Sequence, residues 1–382
     1  MKQTETITPK PRIVWVDLLR LTALLMVIAA HCVDIYNVTP GMDASASRWG
    51  AIIGSFMRPS VPLFAMMTGL LLLPVRQPAE AFYRKRIPRV LIPALLWSVL
   101  YCITPWLTGI LGGGPQVVST FFPMEQAPSQ TFADAMRSVA AIPFTFNGYT
   151  THIWYIYMLI GLYLFMPFMS SWVEKDDRTM TRTFIILWGC SLLLPYLQHV
   201  ISPYIFGECA WNSFGTFYNF AGFTGYLLLG YLLSRGNTLS TGKVLLLALL
   251  LLGSGYAITY TGFRTMSAQY TYEQHPEYLE MFWQFCSPNV VIMAIAIFIA
   301  IQRVNIRSER AQCILAHITR CSFGTYLMHY LFIGPTILLL APLSLPTPLH
   351  VLCAVIIVFT VCWAVTGAIY RIFPRAACYI VG

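Results

Sequence analysis

Charge is scarce in this chain. Only 10% of its 382 residues are Asp, Glu, Lys or Arg, where a soluble domain carries about a quarter. That shortage excludes an ordinary water-facing surface. A hydrophobic share of 57% and a mean hydropathy of +0.65 make lipid the solvent for most of it. The short alternating segments of a transmembrane barrel are missing as well, and long unbroken apolar runs stand in their place. In lipid such runs satisfy their own backbone only as helices. No cleavable signal peptide is visible: the first apolar run carries Asp17 and Arg20, lacks a small-residue cleavage site and is long enough to span. There are 10 Cys but no C-x-x-C pair, and Cys102, Cys190, Cys353 and Cys362 fall inside apolar segments. Buried free thiols are the expectation, and no metal site is expected.

What is present is a series of about ten apolar segments of roughly 20 residues, the length of a spanning helix. They run approximately Ile13–Val33, Trp49–Leu73, Val90–Ile110, His152–Trp172, Thr183–Ile201, Thr216–Leu233, Val244–Phe263, Met281–Ile301, Ile318–Leu340 and Leu349–Tyr370. The expected fold is all-α: a single polytopic transmembrane bundle over 1–382, with tails at 1–12 and 371–382 and ten spans between. Placing the N-terminus inside puts 18 of the 24 Lys and Arg on the cytoplasmic side, three outside (Arg48, Arg137, Arg264) and three within spans (Arg20, Arg58, Arg320). By the positive-inside rule this sets both termini in the cytoplasm. It also accounts for the net charge of +9 without nucleic acid, which is not expected as a partner. The expected partner of most of the surface is the lipid bilayer, and the expected location is the cytoplasmic membrane. The outer segments Leu111–Thr151, Ser202–Gly215 and Arg264–Glu280 are long enough to contact a polar ligand. The oligomeric state is left open, a homo-oligomer included.

Charged and titratable groups at membrane depth mark function by default. Arg20 lies about 10 Å into the first span, and His31 follows eleven residues later. Eleven steps are close to three turns, so the two share one helix face, roughly 16 Å apart along the axis. The competing reading is an Arg20–Asp17 ion pair at i, i+3. Arg58 precedes Pro59 and Pro62; two prolines free backbone groups, which is tolerated where the chain lines a polar cavity. Its competing role is a brace paired with an acid such as Asp34. His152 opens the fourth span beside Trp154, Tyr155 and Tyr157, and the aromatics also suit an interfacial belt. Ser322, Tyr326 and His329 share a face at spacings of four and three. The run Arg84–Arg89 reads as a basic loop, explained by topology or by phosphate binding.

These residues carry a resemblance. Trp15-Val16-Asp17-Leu18-Leu19-Arg20, with His31 at the Arg-x10-His spacing, resembles the first-helix motif of the acyltransferase 3 family of membrane acyltransferases. Ser60-Val61-Pro62-Leu63-Phe64 through Thr68-Gly69, His152-Ile153-Trp154-Tyr155 and Tyr326-Leu327-Met328-His329 are similar to the same family in the same order. Leu21 and Thr68 depart from the family's usual Gly and Ser. The resemblance implies transfer of an acyl group, usually acetyl from acetyl-CoA, onto a hydroxyl of a cell-surface glycan or lipid-linked saccharide. Acetyl-CoA is then a donor substrate, with no tightly bound cofactor expected. For that reaction the chemistry of the intramembrane residues puts catalysis on His31, Arg20, Arg58 and His152, with His31 as base or transient acyl carrier and Arg58 or His152 at the oxyanion. Substrate binding is expected of Asp17, Tyr155, Tyr326 and His329. A transporter or flippase of a glycolipid or small polar solute is the rival reading, because intramembrane Arg and His also mark transport paths.

Overall fold

The computed structural model describes residues 12–38, 41–112, 114–121, 127–175, 178–235 and 239–382. All but the last residue of the expected N-terminal tail lies outside them. The described chain is helical from end to end: α1 (Val14–Val33), α2 (Ile35–Val38), α3 (Ala44–Met57), α4 (Ser60–Leu72), α5 (Ala79–Ile110), α6 (Pro115–Phe121), α7 (Phe132–Ala141), α8 (Trp154–Glu174), α9 (Arg178–Ser191), α10 (Leu194–Val200), α11 (Thr224–Ser234), α12 (Thr241–Ser267), α13 (Pro276–Leu279), α14 (Pro288–Ile301), α15 (Glu309–Leu340), α16 (Thr347–Ile372) and α17 (Ala377–Ile380). The protein is a multi-pass membrane protein. Among the described residues eight helical stretches are long and apolar enough to cross a bilayer: α1, α3 with α4, α5, α8 with the turn before it, α9 with α10, α12, α15 and α16.

The sixth and eighth expected spans hold the shorter helices α11 and α14, of 11 and 14 residues. Fourteen residues rise only about 21 Å, less than the hydrocarbon thickness of about 30 Å. The causes are local. Residues 216–223 turn before α11, with Gly222 at φ +82°. Pro288 opens α14, where its missing N–H costs nothing, and Ser287 before it is extended, the conformation that a following proline favours. Both short helices are enclosed by others, α11 by α4 and α9, α14 by α12, α4 and α1. α12 and α16 instead leave Leu245, Leu246, Leu249, Leu250, Leu352 and Ile356 exposed, a face for lipid tails.

α1 is central and packs on α4, α15, α16 and α3. α4 is pinned to α11 by a reciprocal glycine contact. A Cβ on Gly69 would strike the Leu227 carbonyl, and one on Gly230 the Met66 carbonyl. Small residues let backbones approach this closely. Gly230→Val is therefore expected to lower the thermal stability of the detergent-solubilised protein by about 1–3 kcal/mol. Gly253→Ala on α12, which meets nothing within 4 Å, serves as the control. Equal melting of both proteins would remove the glycine contact from the account.

The basic run Arg84–Arg89 is not a loop but the opening turns of α5, which extends 32 residues. Farther along, Pro105 sits inside the same helix. There the Gln130 side chain enters the opened ladder, accepting from Trp106 N at 3.0 Å and donating to the Cys102 carbonyl at 3.1 Å. Those two backbone groups would bond each other in an unbroken helix. The segment around Gln130 is thereby tied to α5. The final residues, read from sequence as a tail, fold back as α17 on α5. Trp97 Nε1 donates to the Ile380 carbonyl and Tyr370 OH to the Gly382 carbonyl, each at 2.8 Å.

Candidate active site

Arg20 and His31 lie on one face of the unbroken α1, as their spacing requires, and each opens into its own cavity. Arg20 lines a cavity of about 890 Å³ whose walls also carry Arg12, Arg86, Arg89 and Arg320. Among the described residues Asp17 is the one acid on those walls, and it is taken by Arg12, whose Nε binds its Oδ2. The Arg20–Asp17 ion pair of the competing reading does not form among the described residues. Arg12 approaches from the extended lead-in to the helix and claims the carboxylate, and Arg20 is left with no hydrogen bond or ion pair among the described residues. Arg320 stacks on the Tyr370 ring at 4.5 Å, and Arg86 Nε is buried without a hydrogen-bond partner. Arg84 behaves differently: it is exposed and pairs with Glu80 at 3.0 Å. A cavity walled by five guanidiniums and one neutralised acid has the charge of a site for a polyanion, and guanidinium suits phosphate oxygens by geometry as well as charge.

His31 lines a second cavity of about 70 Å³, with Asp34, Arg58, Ser60 and His152. Asp34 Oδ2 lies 3.2 Å from His31 Nδ1. A carboxylate can only accept, so Nδ1 carries the proton and neutral His31 keeps its lone pair on Nε2. Two further imidazoles stand behind it, both fully or almost fully buried. His329 lies 5.2 Å from His31 and His152 5.3 Å from His329, ring centre to ring centre. His329 Nδ1 donates to the Tyr326 carbonyl at 2.6 Å and His152 Nε2 to the Leu327 carbonyl at 3.3 Å. Their other nitrogens, His329 Nε2 and His152 Nδ1, are buried without partners. Tyr326 OH donates to the His152 carbonyl, which locks α15 to the start of α8.

Arg58 caps α3 where Pro59 interrupts the helix before α4. It does not pair with Asp34, which His31 occupies. Its guanidinium lies 3.9 Å from the Trp283 ring centre, while Phe263 stacks on the same ring at 3.5 Å. Two groups that close must take opposite faces of the indole. Ser55 accepts from Trp283 Nε1 at 2.9 Å and fixes the ring. Arg58 Nε remains buried without a partner beside the chamber. The cavities meet at three rings, Phe64, Tyr155 and Tyr326, which line both. Phe64 and Tyr155 are 6.0 Å apart and Tyr155 and Tyr326 5.7 Å.

A family model described as an acyltransferase domain matches residues 13–367. The chain belongs to the acyltransferase 3 family. Neither a curated relative nor a solved structure matches it.

The motifs that resembled this acyltransferase family from sequence converge in space. Arg20 and Asp17 face the large cavity, His31, Arg58 and His152 the small one, and Tyr155 and Tyr326 the boundary. His329 lines neither cavity but touches His31 from behind. Trp154, weighed as a belt residue, lines the small cavity and stacks on Phe285 at 5.5 Å. Asp34 and Arg320 were not singled out as site residues, and the run that holds Arg86 and Arg89 was open to either topology or phosphate binding. Asp34 had a signal, an acid one helical turn after His31. Arg320 had one too, as a charge inside an apolar segment. Arg86 and Arg89 were obscured by the positive-inside rule, which alone explains basic residues at a helix end expected in the cytoplasm.

Proposed function

We propose that this membrane acyltransferase moves an acyl group, acetyl by the family's habit, from cytoplasmic acyl-CoA to a hydroxyl of an extracytoplasmic glycan or lipid-linked saccharide. The carrying observation is the pair of cavities at opposite ends of one face of α1, one walled by arginines and the other by histidine and carboxylate, meeting at three rings. The arginine cavity opens among the residues that the positive-inside count assigns to the cytoplasm. The phosphates of CoA would lie against Arg12, Arg86, Arg89 and Arg320, with Arg20 deeper along the thioester arm. The acceptor hydroxyl would meet His31 from the other side.

In the step itself, His31 Nε2 takes the proton of the acceptor hydroxyl as its oxygen attacks the thioester carbonyl. Asp34 holds the imidazole in the required tautomer and steadies the imidazolium. The carbonyl oxygen becomes an oxyanion, and Arg58, fixed by Trp283, offers it an N–H. A neutral His152 is less suited to that place, since its only proton is on the Leu327 carbonyl. Its bare Nδ1 instead accepts from a second hydroxyl. The C–S bond then breaks, the ester forms, and the CoA thiolate takes the proton back from His31. The test is release of free CoA thiol by purified protein given acetyl-CoA and a glycan acceptor. Transport of the acceptor with no thiol released would favour the flippase reading instead.

The sidedness has its own test. Single cysteines replacing Lys85 at the start of α5 and Glu273 before α13 should be labelled by impermeant maleimide from the cytoplasmic and outer sides respectively. Labelling of position 85 from outside would overturn the assignment of the donor side.

A further inference from the structure

We propose that the small chamber limits the transferred group to about three carbons, with Phe64 and Val61 as the residues that set the limit. The proposal rests on the acyl-CoA transferase reading above. The chamber has two sides. His31, Asp34, Arg58, Ser60 and His152 supply the polar one, and Val27, Ala30, Met57, Val61 and Phe64 the apolar one. The polar side matches a hydroxyl attacking a carbonyl, and the apolar side matches a hydrocarbon tail. The space between is small. At roughly 15 Å³ for each water-sized group, the volume of about 70 Å³ holds about five heavy atoms. An acetyl group brings three, the carbonyl carbon, its oxygen and the methyl, which leaves room for the attacking oxygen and its carbon. A butyryl group fills the chamber alone. An octanoyl group must displace a wall or remain on the donor side of the three rings, where its carbonyl does not reach His31.

The walls are not free to retreat. Phe64 rests against Tyr155, Tyr155 against Tyr326, and Tyr326 is tied to the His152 carbonyl. Behind Phe64 and Val61, α4 is pinned to α11 by Gly69 and Gly230, where neither helix backbone has room to shift. The donor cavity has no comparable limit, with a volume of about 890 Å³. Chain length is therefore read where the chemistry occurs and not where CoA is held. The consequence is that long acyl-CoAs bind but turn over slowly.

The experiment compares acetyl-, butyryl- and octanoyl-CoA in membrane vesicles carrying the full chain, with CoA thiol release as the rate and displacement of labelled CoA as the affinity. A pocket discriminates by about 10- to 200-fold for each methylene it rejects. The parent protein should use acetyl-CoA at least about tenfold faster than butyryl-CoA, while the three donors displace CoA about equally. Phe64→Ala should raise the butyryl and octanoyl rates relative to acetyl by about tenfold or more. Val61→Ala, a smaller change on the same wall, should shift the profile the same way and serves if the Phe64 variant does not insert. A flat chain-length profile in the parent, or an unchanged profile in both variants, would overturn the limit while leaving the transferase reading intact. Absence of thiol release with every donor would overturn the transferase reading, and this proposal with it.

Discussion

His31→Ala protein is expected to bind acyl-CoA nearly as well as the parent and to transfer the acyl group at least about a hundredfold more slowly. The separation of the two effects follows from the geometry. The guanidiniums that would hold the donor line one cavity, and His31 lines the other, eleven residues along α1. Removing the imidazole leaves the donor walls untouched. General-base contributions are typically on the order of 10² to 10⁴ in rate, and a group acting only in the chemical step lowers kcat without raising KM. Asp34→Asn should show a smaller loss of the same kind. The amide offers an N–H as readily as an oxygen, so it no longer dictates which ring nitrogen carries the proton.

His152 and His329 provide the discriminating comparison. Each carries a bare, buried ring nitrogen and lies within a ring's width of the cluster. Neither has a carboxylate on its protonated nitrogen; both donate to backbone carbonyls. A carbonyl fixes the tautomer as a carboxylate does but compensates a developing positive charge less. His152→Ala and His329→Ala should therefore retain more of the chemical step than His31→Ala. If either loses that step while His31→Ala keeps it, the base belongs to the turn before α8 or to α15. If all three retain full transfer, histidine base catalysis fails as a mechanism.

The part of this site legible in the sequence is the part set by periodicity. Helical spacing alone puts Arg20 and His31 on one face, and the continuity of α1 preserves it. The prolines at 59 and 62 announce the break that exposes Arg58, because they remove backbone donors whatever surrounds them. Partner choice was not legible. Asp17 lies one turn from Arg20 yet binds Arg12, and Asp34 was offered to Arg58 yet sits on His31. In both cases two candidates of like chemistry compete, and the winner depends on where the chain outside the helix delivers its side chain. The spans themselves were legible as apolar runs. The lengths of α11 and α14 were not, because hydropathy continues through turn residues that carry apolar side chains, as in 216–223 and 281–287. The place of Arg86 and Arg89 on the large cavity was hidden for a different reason: the expected orientation in the membrane already calls for positive charge there.

Arg20→Lys is expected to reduce kcat/KM for acyl-CoA by about tenfold to a hundredfold, with the protein still folded and inserted. Its charge is unchanged, so the loss must come from shape. A guanidinium presents a planar fork that binds two oxygens at once, and an ammonium is a point charge on a flexible stem. A hydrogen bond to a charged group is worth about 1.5–3 kcal/mol, and each 1.4 kcal/mol is about tenfold. The structure makes the substitution a clean probe. Arg20 has no ion pair or hydrogen bond among the described residues, since Arg12 has claimed Asp17. Arg84→Lys is the matched control, an exposed arginine paired only with Glu80 outside the cavity, and it should behave as the parent. Parental kinetics in Arg20→Lys would mean that Arg20 supplies charge alone. Loss of insertion in that variant would mean that an arginine without a partner in this structure braces the fold. Loss of donor use without loss of insertion is the result that ties the deepest guanidinium of the large cavity to acyl-CoA.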